Sequence, residues 1–403
     1  MNTLSALSNL TDTQIIEAAQ QRGEPDWLVL QREAAWKTFA EAVPPIWRRT
    51  DLSKFVSANV VAPDAPYGTT LTWDESLAEQ GVIFMPLIEA AKSHDAVVRA
   101  RFGTAIDAHA HKFNALHGAL WQDGAFLYVP KNVAAEAPFI ANFTLNSDHV
   151  SIAHNLVVLE EGASASFVEE YTSPDGTGQS FANPATELFV GTGATLRYVV
   201  VQAWGRNVYH IGAQRVIAGR DATVEWVSAN LGGKVQHVEA EIALTETGSR
   251  VEWQGVTFAT EKQSLLTAPI LRHAGTNTES HLDFKTVVAD DGYSSFDGLI
   301  KIEKDSKGTA TRLEEHALHL GGKGRTDSIP GLKIDTNDVA RAGHASTSGE
   351  VDEEQLFYMR ARGISRAEAI NMIVMGFFEP VIERIPSENV RARVLAAIEA
   401  KMV

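Results

Sequence analysis

The chain has no cysteine among its 403 residues. That absence excludes disulfides, thiolate nucleophiles and all-thiolate zinc or iron-sulfur sites. Any metal held by this chain alone must therefore rely on His, Asp or Glu. No stretch approaches the ~18 consecutive apolar residues of a membrane span, and Met1 to Leu7 lacks the basic start and apolar run of a secretory leader. The expected location is cytoplasmic. Positive charge is scarce as well: 35 Lys and Arg face 51 Asp and Glu, for a formal net charge of -16, and no run gathers the cations into a patch. Nucleic acid and anionic membranes are not expected as partners. There is no Gly-Lys-Ser or Gly-Lys-Thr, so no P-loop, and no Gly-x-Ser-x-Gly nucleophile elbow.

What remains is an ordinary globular composition, 44% hydrophobic and 21% charged, long enough for two or three domains. The first hundred or so residues read as helices and loops. Thr11 with Gln14 forms a capping-box pattern, with Gly23 as its stop. Pro25 starts a second helix whose apolar stripe is Trp27, Leu28, Leu30, Ala34, Ala35, Phe39 and Val43, and Pro44-Pro45 ends it. Ile46 to Pro66 reads as irregular, and helical patterning returns from Glu75 to Leu116.

From Phe126 the period changes to alternation, and a repeat emerges. Stretches such as Leu156 to Ala163, Leu188 to Ala194, Val216 to Ala222, Ile242 to Ser249 and Ile300 to Thr309 share an apolar run, a turn and a second strand. Turn markers at 162, 193, 221, 248, 275 and 308 are 31, 28, 27, 27 and 33 residues apart. This spacing predicts a mainly β fold, a right-handed parallel β-helix or related solenoid, with a twisted β-sandwich as the alternative. Open strand edges at the ends of such a stack call for a protein partner. The expected domains are helical 1–120, β-helix 121–345 and helical 346–403.

In the last of these, Asp352 with Gln355, Ser365 with Glu368, and Ser387 mark three helix starts, the first ending at Gly363 and the second heading toward Pro380. The junction from Ile329 to Gly363 carries one uncrowded loop histidine, His344, among Ala342, Gly343, Ala345 and Ser346. Thirteen histidines raise metal hypotheses. His109 and His111 would diverge on a helix, and His316 with His319 lacks the His-Glu-x-x-His order, so both pairs read as surface or packing residues. Asp290-Asp291-Gly292 reads as a turn. A carboxylate cluster there would suit a carbohydrate-binding or polysaccharide-cleaving β-solenoid, the competing function.

Several segments resemble the SufB/SufD family of iron-sulfur cluster assembly proteins. They are Pro330 to Val339, His344-Ala345-Ser346-Thr347-Ser348-Gly349, Asp352 to Tyr358 and Arg362-Gly363-Ile364, supported by Glu24 to Leu28, Trp47 to Leu52 and Ser295 to Ile302. The short chain and missing cysteine resemble the SufD branch. The resemblance implies a non-catalytic subunit in de novo cluster assembly and iron acquisition. It would pair with a SufB-like scaffold through the β-helix and with a SufC-like ABC ATPase through the C-terminal helices, with self-pairing left open. It implies no tightly bound cofactor, but a transient iron-sulfur cluster shared with SufB, to which His344 would contribute a ligand. Where the SufD motif commonly reads Cys-Ser-His-Gly, this chain has Ala342-Gly343-His344-Ala345, so the imidazole stands without a thiolate.

Overall fold

The computed structural model describes residues 10–56, 68–122, 124–146 and 149–402. Met1 to Leu7, and the 57–66 portion of the irregular segment, lie outside them. Five helices precede the sheets: α1 (Asp12–Gln21), α2 (Asp26–Glu41), α3 (Leu87–Ser93), α4 (Asp95–Arg101) and α5 (Lys112–Leu120). The Thr11 capping box forms as expected, and Gly23 follows with φ +68. Helix α2 buries Leu28, Ala35 and Phe39 but also Arg32 and Trp36, while Leu30 and Val43 point outward. Instead of one helical stretch from Glu75 to Leu116, the chain makes a 3₁₀ turn, a short strand Ile83–Pro86 and helices α3 to α5.

The core is a β-solenoid of about 8 turns. Among the described residues nine strands form one sheet and thirteen the other, each coil supplying strands to both. Pairing is parallel throughout except at the first rung. There Gly68–Thr72 runs antiparallel to Phe139–Thr144, and Ile83–Pro86 antiparallel to Ala125–Val129. Those two strands close the N-terminal end of the stack.

One turn column explains the period read from the sequence. Asn132, Gly162, Gly193, Asp221, Gly248, Asn277 and Gly308 all have positive φ. The N–H of each donates to the carbonyl just before the corresponding residue of the next coil: Gly162 to Thr192, Gly193 to Arg220, Asp221 to Thr247, Gly248 to Thr276 and Asn277 to Lys307. The turn residue of the sixth coil is thus Asn277, two positions beyond the marker at Gly275. Asn and Asp tolerate this left-handed conformation because their short polar side chains bond locally. Asp290 is a tight-turn residue too, with φ +54.

The interior is built on columns of identical register. On the nine-stranded sheet one column runs Phe139, Phe167, Tyr198, Trp226, Trp253, Leu282 and Leu313, all buried. Trp226 and Trp253 stack with centroids 4.1 Å apart. Both sheets also carry an apolar outer face. The N-terminal helices cover part of one, through Trp36, Phe39 and Phe113 against Phe126, Leu156 and Tyr209.

The other is covered by helices that follow the solenoid, α6 (Glu353–Ala361), α7 (Arg366–Ile382) and α8 (Glu388–Glu399). Val374, Phe378, Val381, Val390 and Val394 pack on Val199, Val227, Val256 and Phe258. Helix α7 continues through Pro380, because Val381 and Ile382 beyond it are buried in this contact. Arg393 of α8 forks onto the buried Glu170, its Nε 3.0 Å from Oε1. No helix among the described residues is long and apolar enough to cross a membrane.

Candidate functional site

The expected loop carrying His344 is a strand. Val339–Glu350 is twelve residues long and forms the last member of the nine-stranded sheet, paired in parallel with Thr309–His319. The strand therefore crosses the division drawn at residue 345. Its composition hides it: Ala, Gly and Ser are poor strand formers, but the preceding coil offers a full row of backbone partners. On the other side no strand of this chain follows among the described residues, and most of its side chains are exposed.

Register fixes what His344 does there. It lies opposite Leu313, so it occupies the next rung of the interior column that begins at Phe139. Every earlier rung is sealed by the coil after it; His344 is exposed. The residue thus stands in register above a buried leucine and is exposed.

Around it the coil end is polar. Two residues along, Ser346 Oγ lies 3.0 Å from Glu315 Oε2 and 2.7 Å from Ser328 Oγ. Glu315 is buried, and burial pushes its carboxyl above the usual range, opposed by hydrogen bonds from Ser328 and Ser346. His319 Nε2 lies 3.0 Å from Ser348 Oγ and 3.1 Å from Thr326 Oγ1. His316 Nδ1 lies 2.7 Å from Thr347 Oγ1 on the outer face. His316 and His319 therefore tie the edge strand to its neighbours, a role that their spacing alone does not reveal. The second sheet ends at the same level with Arg325–Ser328 and Gly331–Ile334, both partly or fully exposed.

The other histidine pair is placed elsewhere. His111 caps α5, its Nδ1 accepting from the N–H groups of Phe113 and Asn114 at 3.1 and 3.2 Å, and its Nε2 lies 3.2 Å from Glu239. His109 hydrogen-bonds Thr38. Among the described residues no three His, Asp or Glu side chains gather as a metal-holding group. His344 presents one imidazole at this exposed end.

This arrangement defines a class: a helix-flanked β-solenoid whose last strand leaves a polar coil end exposed. Residues 142–377 match the family described as SUF system FeS cluster assembly, SufBD core domain, and residues 51–140 match the SufBD protein N-terminal region. The chain belongs to the SufBD family of iron-sulfur cluster assembly proteins. Among its relatives, an iron-sulfur cluster assembly SufBD family protein of Staphylococcus saprophyticus is 28% identical, over 94% of this chain and 90% of the relative. One of Staphylococcus aureus is 30% identical, over 89% and 78%. The carbohydrate reading is not favoured, because the family and the relatives matched are iron-sulfur cluster assembly proteins.

Proposed function

We propose that the chain is the SufD-like, non-catalytic subunit of an assembly complex. It would dock its open coil end on a SufB-like scaffold and its C-terminal helices on a SufC-like ATPase. His344 would contribute one ligand to a transient cluster site whose sulfur ligands come from the scaffold. The observation that carries this reading is the position of His344, an exposed last rung on a strand with one unpaired edge. Two copies of the edge could in principle pair, and a self-paired form is the competing state.

The C-terminal helices supply the second contact. Phe357 and Tyr358 on α6 and Met372 on α7 are 73%, 61% and 52% exposed, large apolar side chains suited to a protein partner. Only Val351 and Asp352 separate α6 from the edge strand. Motion imposed on α6 by ATP hydrolysis would reach His344 along a strand and not across a flexible linker, moving one side of a shared site relative to the other. Co-purification with both partners tests the reading. The wild-type chain should capture both, Phe357→Ala with Tyr358→Ala should lose only the ATPase, and Ala345→Lys should weaken only the scaffold contact. A chain that binds neither partner contradicts it.

A further inference from the structure

Between the N-terminal helices and the solenoid, three buried side chains form a continuous line of contacts that the assembly role does not use. His117, on α5, has Nδ1 2.7 Å from the carbonyl oxygen of Asn183 and Nε2 2.9 Å from Nδ1 of His154. His154, which opens the strand His154–Leu159, has Nε2 3.1 Å from Glu187 Oε2. The three residues are 5%, 3% and 0% exposed. Glu187 also accepts the backbone N–H groups of Gly103, Ala105 and Ile106, at 2.6, 2.7 and 2.9 Å.

The hydrogens of this line can be counted. A carbonyl oxygen brings none, so the first contact needs a proton on His117 Nδ1. The second needs one between the two rings, and the third needs one between His154 and the carboxylate. Three contacts require three hydrogens, whereas two neutral imidazoles supply two. One further proton must be present. Three amides and a ring donor fill the lone pairs of Glu187, which keeps it a carboxylate. Burial holds His117 well below the ordinary imidazole range, opposed by its hydrogen bond to the Asn183 carbonyl. That leaves His154. The ring of Phe102 lies 4.4 Å from it, centroid to centroid, and an aromatic neighbour favours a cation.

We propose that His154 is a buried imidazolium, donating from Nδ1 to His117 and from Nε2 to Glu187, and that this proton latches the N-terminal helical unit to the solenoid. His117 and the 103–106 loop lie on the helical side of the joint; His154, Asn183 and Glu187 lie on the solenoid side. A cavity of about 150 Å³, lined by Gln31, Phe102, Asp107, Asn114 and both rings, gives solvent a route to the line. The other charges on the packed elements are few. Arg32 of α2 is paired with Glu24, Arg101 of α4 lies over the Phe189 ring, and Asp107 and His109 line the cavity. Without that proton, two lone pairs would face each other in a buried contact and the carboxylate would lack its counter-charge.

Ring-nitrogen NMR of the full-length chain labelled with ¹⁵N-histidine tests this. At neutral pH one histidine near Phe102, missing in His154→Asn, should carry protons on both nitrogens. In His154→Asn, amides of α5 and residues 103–106 should lose roughly tenfold protection from exchange. Strand Thr223–Asn230 should not. In Glu187→Gln the amide can supply the third hydrogen, so the second ring proton should be missing from that variant. A singly protonated His154 at neutral pH in the wild-type chain overturns the proposal, as does a second ring proton that survives Glu187→Gln.

Discussion

At the scale of single residues, buried polar groups set the sharpest expectations. Burial holds His273 at about 4, with Nδ1 2.7 Å from Thr278 Oγ1 and Nε2 3.0 Å from Ser280 Oγ. Burial likewise holds His237 at about 4 and His210 at about 3. The unfolded chain takes up these protons near pH 6.5 and the folded chain only near pH 4 or below, so stability is lost as pH falls through that window. For His273 the contribution is about 3 kcal/mol. Equilibrium unfolding from pH 7 to 4 should show this loss, with a shallower slope for His273→Gln. Glu24 and Arg32 form a buried pair 2.6 Å apart, and Arg32 also donates to the Trp121 carbonyl at 2.7 Å. Glu24→Ala removes the carboxylate partner of that buried guanidinium and should cost about 3–5 kcal/mol by denaturant midpoint. The burial of these groups did not show in the sequence, because no local pattern announces it.

At the scale of elements, the turn column separates two kinds of glycine. Gly248 has φ +76, and an added Cβ would sit 2.0 Å from Asp221 Oδ1; Gly193 has φ +64 with open space around it. Gly193→Ala should cost about 1 kcal/mol, from the left-handed backbone alone. Gly248→Ala should cost more, about 2–3 kcal/mol, since strain and overlap add. The ordering can be read from paired urea titrations. The docked helices give a second expectation: Phe378→Ala should cost about 3–5 kcal/mol, with hydrogen exchange rising first in α7 and α8. Capping residues at Thr11, Ser365 and Ser387 were legible because a cap is a local hydrogen bond. The edge strand was not. Val339–Glu350 owes its conformation to the coil beneath it, so its own Gly, Ala and Ser residues argued for a loop.

At the scale of the molecule, the period of the coils was readable because each coil must return to the same left-handed corner, and Gly, Asn or Asp marks it. The columns inside were not, since register depends on which residues pair across 27 to 31 positions and a one-residue slip exchanges the interior and exterior faces. That register turns His344 from a conspicuous loop histidine into the last rung of a column. One end of the solenoid is closed by antiparallel strands, and among the described residues the other ends on the strand that carries His344. The measurement that tests this account most directly is anaerobic reconstitution of the full chain with a SufB-like scaffold and a SufC-like ATPase, supplied with iron and sulfide. His344→Ala should assemble with unchanged stoichiometry yet hold several-fold less cluster by iron content and Mössbauer spectroscopy; a wild-type cluster yield in the variant would contradict it.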